Sequence, residues 1–544
     1  MKTEILLEWL TIYLLFKQRA DAVLLNINDG SILGGTGSTV ENNEMYYYFR
    51  GIPYGEPPLG DLRFEPPVAK TPWEGTIDCT TDGSRCIQES NPVIGSEDCL
   101  FINVYTPSLT GSLAVLVYIH GGAFVSGDTT YAQLGPDYFL EEGLVFVSFN
   151  YRLGIFGFIG TEDLTCPGNV GLKDQVLALT WVQRNIAFFG GNPQNVTIFG
   201  ESAGAASVAY HVQSDSSRGL FSAAILDSGT SLSPWALNRR ARETAFAVGA
   251  ALSIVALDSE NLINGLRKIN ATILQSKASE VSTLIMLQNA LAGLQFGPVR
   301  EPVHDGAFFT GESEDLLSRG QFNQVPCLMG VNSNEAAIVH EVTAFLRLYA
   351  DFYEVKTNDL APVDLTDDPT KRFLAANVIK CRYFNCTISL SASGNIIQFV
   401  SDDQFNRPTR KAVLDLSRFV PVYFYVFSYE GMLGGVADRS LPGVGHTEEL
   451  GYLFRQYYTD VPNTDNLMRK RMVKMWSNFA KVGNPTPTID ELLLDEIWLP
   501  VELDHLYYMN IDANMELLEN PFRNQMEFYD RIYKTFGTPP YDTF

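Results

Sequence analysis

Val196-Thr197-Ile198-Phe199-Gly200-Glu201-Ser202-Ala203-Gly204 runs an apolar strand into a G-x-S-x-G turn, and Ala203-Gly204-Ala205-Ala206-Ser207-Val208 then opens a helix. In such a strand–turn–helix elbow the serine takes a strained backbone conformation, and small residues two positions to either side avoid clashes. The turn lifts the Ser202 hydroxyl above a sheet and aims a helix N-terminus at negative charge developing on a bound molecule. Glycine–serine turns are common, so a bare G-x-S-x-G is a weak signal. The strand before it and the small-residue helix after it make this one strong.

Outward from the elbow, β-branched and aromatic runs read as buried strands over residues 115–119, 144–151, 196–199, 223–226, 327–331 and 420–427. Helical patterns cover 172–188 and 202–212. Strands alternating with helices imply an α/β fold, a large and mostly parallel central sheet flanked by helices on both faces. Residues 340–410 are less periodic and are expected as helices above the sheet. No repeat, low-complexity tract or Ser/Gly linker divides the chain, so 23–544 is read as one domain with insertions.

Over 544 residues the chain is 46% hydrophobic and 19% charged, a globular composition that excludes disorder and collagen-like repeats. Its 39 Lys and Arg stand against 63 Asp and Glu, for a formal charge of −24. Such a surface repels phosphate backbones and anionic lipid, which argues against nucleic acid and stable membrane association. No segment after the first approaches the ~20 uninterrupted apolar residues of a membrane span. Residues 1–22, MKTEILLEWLTIYLLFKQRADA, combine an early lysine, an apolar stretch and an Ala20-Asp21-Ala22 ending, and are read as a signal peptide of a secreted protein. Sequons at Asn195, Asn270 and Asn385 fit a glycoprotein. The seven cysteines leave at least one free or paired between chains. They show neither a CxxC pair nor zinc spacing, so no metal is expected.

A serine nucleophile needs a base, and six histidines are available. His120 precedes Gly121-Gly122 in a backbone-positioning turn, and His211 lies along the elbow helix, facing away from Ser202. His304 and His505 sit in polar turns, and His340 follows Glu335 on a helical pattern. His446 lies in Leu441-Pro442-Gly443-Val444-Gly445-His446-Thr447-Glu448-Glu449, a loop after the 420–427 strand. Loops at strand C-termini carry the reactive groups of such sheets, so His446 is the expected base. Glu335 follows the 327–331 strand and the turn Asn332-Ser333-Asn334. A carboxylate there serves equally to complement a helix N-terminus, but the order Ser, acid, His favours a role in holding the histidine tautomer. Tyr118-Ile119-His120-Gly121-Gly122-Ala123-Phe124 follows a strong strand, and its glycines let main-chain N–H groups approach an oxyanion.

Together these motifs resemble the type-B carboxylesterase/cholinesterase family of α/β-hydrolases, most closely insect carboxylesterases. The likeness extends through Phe49-Arg50-Gly51-Ile52-Pro53-Tyr54-Gly55-Glu56-Pro57-Pro58, Ser96-Glu97-Asp98-Cys99-Leu100, Asn150-Tyr151-Arg152-Leu153-Gly154, Gly168-Asn169-Val170-Gly171-Leu172-Lys173-Asp174-Gln175 and Leu226-Asp227-Ser228-Gly229. The resemblance implies Ser202 as nucleophile, Glu335 as acid and His446 as base, with an oxyanion hole from the N–H groups of Gly122, Ala123 and Ala203. Many relatives have a third glycine at Ala123. It also implies a Cys86–Cys99 disulfide, worth about 3 kcal/mol on the chain-entropy model, and a Cys381–Cys386 bridge is expected as a second. Arg63–Glu97 and Arg152–Asp174 are implied as structural ion pairs. Phe124, Trp235 and Phe296 match pocket walls.

The expected activity is that of a serine carboxylesterase acting on neutral, lipophilic esters through an acyl-enzyme on Ser202, without cofactor or metal. Detoxification and degradation of a pheromone or odorant ester both fit. A juvenile hormone esterase is the alternative, although relatives of that type usually carry Gln where this chain has Glu201. A non-catalytic, cholinesterase-like adhesion protein is the alternative of another class, disfavoured because all three triad matches are present. Turnover is expected to rise through a histidine pKa near ~6.5, shifted by its surroundings. The loop from Cys86 to Cys99 lacks Trp, Tyr and Phe, so choline esters are expected to be poor substrates.

Overall fold

The computed structural model describes residues 22–289, 291–337, 352–388, 393–436, 439 and 441–544. The signal-peptide reading and His340 fall outside these residues, except for Ala22. Among them, thirteen strands make one sheet. Its order is β1 (Val23–Ile27), β2 (Gly30–Ser38), β3 (Met45–Pro53), β5 (Phe101–Thr106), β7 (Val145–Phe149), β6 (Leu113–Ile119), β8 (Gly191–Glu201), β9 (Ala223–Asp227), β10 (Cys327–Asn332), β11 (Val422–Phe427), β12 (Tyr507–Ile511) and β13 (Glu516–Glu519). β4 (Thr76–Asp78) lies beside β2.

From β7 to β12 every neighbouring pair is parallel. The β1–β2–β3–β5–β7 flank and the β12–β13 edge are antiparallel. The mostly parallel sheet expected from the sequence is therefore the centre of a larger mixed one. β2 reads GSILGGTGS and β3 MYYYFRGIP, without the continuous apolar run that marks a central strand.

Strand alternation builds two cores. Val115, Val117 and Ile119 of β6 pack on one face, with Leu172, Leu179 and Val182 of α1 (Val170–Asn185) and Ala205 and Val208 of α2 (Ala203–Gln213). Ala114, Leu116 and Tyr118 pack on the other, with Met472, Trp476 and Phe479 of α3 (Asn463–Val482). Helices at Pro369–Phe384, Ser393–Ser401 and Arg407–Leu416 occupy the described part of 340–410.

The sheet order reverses at β6, since the chain runs from β6 to β7 on one side and returns to β8 on the other. Loops leaving two such strands at their C-terminal ends diverge and leave a crevice, the usual ligand position in an open α/β sheet. The 120–127 loop and the Ser202 elbow leave β6 and β8 at this point.

Cys86–Cys99 and Cys381–Cys386 are bonded, while Cys79, Cys166 and Cys327 are free and buried. Arg63 and Glu97 pair at 2.6 Å and Arg152 and Asp174 at 2.7 Å, each tying segments far apart in sequence.

Candidate active site

Ser202 has φ 57° and ψ −123°, a region costing about 1–3 kcal/mol for a side-chain-bearing residue. Its N–H donates to the Asp227 carbonyl at 2.9 Å, and its own carbonyl accepts from Ala206 N–H at 2.9 Å, which locks the strained turn between β9 and α2. The flanking glycines are steric requirements. A Cβ on Gly200 would lie 2.3 Å from the Gly204 carbonyl carbon, and one on Gly204 would lie 2.0 Å from the Ile119 carbonyl oxygen.

His446 is stitched to the end of β10. The Glu335 carboxylate bonds His446 Nδ1 at 2.8 Å, and the Glu335 carbonyl accepts the His446 N–H at 3.0 Å. Glu335 is wholly buried, and its other oxygen accepts from Asn332 N–H at 2.7 Å. Asn332 Nδ2 donates to the Gly445 carbonyl at 2.8 Å, and Val444 N–H donates to Ser333 Oγ at 2.9 Å. With Nδ1 committed, Nε2 turns toward the elbow and lies 3.2 Å from Glu201 Oε1.

Burial works against a charged His446, but the Glu201 charge and the hydrogen bond and charge of Glu335 outweigh it and push its pKa up to about 9. Burial pushes Glu201 up to about 7, with the Glu335 charge adding to it and His446 opposing it. The other described histidines are occupied elsewhere. His211 is buried between Ser217 and Gln175, and burial pushes it down to about 3. His304 meets Glu301, His505 meets Glu519, and His120 stacks on Tyr151.

The 120–127 loop lies against the elbow, since a Cβ on Gly121 would be 3.2 Å from Ser202 Cβ and 2.6 Å from the Glu201 carbonyl oxygen. Gly122, Ala123 and Phe124 all have positive φ, at 104°, 54° and 59°. Among the described residues nothing accepts from the N–H groups of Gly122, Ala123 or Ala203. Two unclaimed main-chain donors on the 120–127 loop and a third at the N-terminus of α2 suit an oxyanion.

Of the expected walls, Phe124 is fully buried against Phe158, Phe296 is almost fully buried, and Trp235 is partly buried. Phe405, absent from the sequence reading, joins them. Its ring lies 4.9 Å from that of His446 and 6.0 Å from Trp235, whose Nε1 donates to the Gln404 carbonyl at 3.1 Å. Phe405 sits on a π-helical turn, Asp402–Asn406, for which the sequence carries no periodicity signal. A cavity of about 520 Å³ borders Glu201 and is lined also by His120, Gly121, Gly122, Tyr118, Phe454 and Tyr458.

With this elbow, sheet and paired histidine in place, the chain belongs to the carboxylesterase family, whose model matches residues 21–529. It has the α/β-hydrolase fold and is a carboxylic-ester hydrolase of the serine carboxylesterase type. It is 34% identical over 495 residues to the juvenile hormone esterase of Tribolium castaneum, spanning 84% of this chain and 83% of that one. To esterase FE4 of Myzus persicae it is 35% identical over 507 residues, spanning 88% and 86%. The crystal structure of juvenile hormone esterase from Manduca sexta with OTFP covalently attached matches with a TM-score of 0.84 at 29% identity, covering 94% of this chain and 100% of that one.

Proposed function

We propose that Ser202 is the nucleophile, His446 the general base and Glu335 the acid that orients it, in hydrolysis of neutral, lipophilic carboxylic esters. The observation that carries this reading is the double hold of Glu335 on His446, which turns Nε2 toward the elbow, beside Glu201 and next to Ser202 in the chain. Neutral His446 takes the Ser202 proton as Oγ attacks the ester carbonyl. The oxyanion lies among the N–H groups of Gly122, Ala123 and Ala203. Collapse breaks the carbon–oxygen bond to the alcohol, which leaves with the proton from His446 Nε2. Water, deprotonated by the same histidine, then releases the acid and restores Ser202.

Trp235, Phe296 and Phe405 form the apolar wall for the acyl chain, with Phe124 behind them. Residues 23–544 act as one catalytic domain, exported by residues 1–22 and serving in detoxification or in degradation of a signalling ester. Two disulfides suit an oxidising compartment, and among the described residues no helix is long and apolar enough to cross a membrane. Asn270 and Asn385 are exposed and suited to carry sugar. Asn195 is half-buried, and its Nδ2 already donates to the Lys481 carbonyl at 3.1 Å.

A panel of neutral esters graded in acyl and alcohol length tests the reading. Turnover should grow with apolar acyl length until the pocket is filled. Failure to hydrolyse any neutral ester would contradict it. A juvenile hormone ester belongs on the panel, because two of the similar proteins bear that name.

A further inference from the structure

We propose that Gln88 is a positioning residue for the oxyanion loop, acting through Gly127. The proposal rests on the reading of Gly122 and Ala123 as oxyanion donors. Three successive residues with positive φ keep their shape only where the surroundings over-determine it. At its start the loop is held by the sheet and by itself. Tyr151 OH donates to the His120 carbonyl at 2.8 Å, and His120 Nδ1 lies 2.9 Å from the Gly121 carbonyl. The Gly122 carbonyl accepts from Val125 N–H and Ser126 N–H, both at 3.0 Å, and the Phe124 carbonyl accepts from Gly154 N–H at 2.7 Å.

At Gly127 itself the far end is held by one side chain, while Arg85 pairs with Asp128 at 3.2 Å and Asn103 Nδ2 donates to the Thr129 carbonyl at 2.9 Å just beyond it. Gln88 Oε1 accepts the Gly127 N–H at 3.0 Å, and Gln88 Nε2 donates to the Gly127 carbonyl at 2.9 Å. Nε2 also donates to the Cys86 carbonyl at 3.0 Å, so both ends of the amide are used, and Gln88 is only 6% exposed. This amide engages Gly127 on both sides, as a neighbouring strand would. Its own backbone is fixed by pairing with Ile94 inside the Cys86–Cys99 loop.

Displacement of Gly127 cannot stay local. Gly127 has φ 119°, and a Cβ there would lie 2.3 Å from His120 Nδ1, so its backbone packs on the ring that begins the loop. Without the Gln88 clamp, a shift at Gly127 passes through the His120 ring and the Ser126 bond to Gly122, and turns the Gly122 and Ala123 N–H groups away from their aim at the elbow. These donors act most strongly on charge that exists only in the transition state. The loss therefore falls on kcat and leaves KM nearly unchanged.

The test compares Gln88→Leu, Gln88→Glu and, as a control, Glu89→Ala at the exposed neighbouring position. Gln88→Glu keeps the shape but faces the Gly127 and Cys86 carbonyls with oxygen in place of an N–H donor. Rates on a neutral ester are taken per mole of protein that unfolds cooperatively. Affinity for an alkyl trifluoromethyl ketone, whose serine adduct carries the oxyanion, is measured alongside. Both Gln88 variants should lose at least about tenfold in kcat, less than the ~10²–10³ for deleting a donor outright. KM should stay within about twofold, ketone affinity should fall in step with kcat/KM, and Glu89→Ala should match wild type. Wild-type kcat in either Gln88 variant, or a loss confined to KM, overturns the proposal. Wild-type protein that a fluorophosphonate leaves unlabelled at Ser202 overturns the parent reading instead.

Discussion

Replacing Glu201 with Gln should move the pH dependence of turnover downward. His446 Nε2 and Glu201 Oε1 lie 3.2 Å apart. At an effective dielectric of about 20, unit charges at that separation attract by roughly 5 kcal/mol. Burial, the largest influence on His446, lowers its pKa and takes back part of that gain. Glu201, with Glu335, outweighs burial and carries the pKa from 6.5 up to about 9. That net preference for the imidazolium is on the order of 3 kcal/mol. Only neutral imidazole accepts the serine proton, so this preference for the imidazolium withdraws competent base at neutral pH. Glu201 itself titrates at about 7, so the rising limb belongs to the pair and not to either residue. Gln removes the anion and keeps the shape, leaving burial opposed by Glu335 alone. The check is kcat/KM for a neutral ester from pH 5 to 10, with chemistry shown to be limiting. The apparent pKa of Glu201→Gln should fall by at least about one pH unit, with higher turnover at pH 7 than wild type. Coincident profiles would refute the argument.

Ser202→Ala should abolish ester turnover at an unchanged unfolding midpoint, since its φ and ψ and its backbone bonds need no hydroxyl; rate assays with thermal melts check this. His446→Ala should lose about as much turnover, because triad members act as a unit, and Glu335→Gln should lose less. Gly204→Ala should destabilise the fold by roughly 1–3 kcal/mol, an overpacking cost, because its methyl meets the Ile119 carbonyl; urea unfolding measures this. Acetylcholine should be a poorer substrate by kcat/KM than its neutral isostere 3,3-dimethylbutyl acetate. A clear preference for the cation would refute this.

The elbow was legible because steric necessity writes it locally. Gly200 and Gly204 touch backbone, so the motif cannot drift. Glu335 and His446 were legible by order and by their position after apolar strands. The two hydrogen bonds between them were not, because they depend on how the 441–449 loop folds back onto Asn332 and Ser333. The antiparallel flank was missed because glycine-rich β2 and tyrosine-rich β3 lack a buried strand's continuous apolar run. Phe405 and Gln88 left no signal for a different reason. One is presented by a π-helical turn and the other reaches across from a disulfide loop, and both contacts are made by long-range packing.

The central claim is that Ser202 forms the covalent intermediate. Brief treatment with a fluorophosphonate, followed by peptide mass spectrometry, measures this directly. One equivalent of adduct should appear on Ser202, in parallel with loss of esterase activity, and none on Ser202→Ala protein. Adduct on another residue, or full inactivation with Ser202 unmodified, would contradict it.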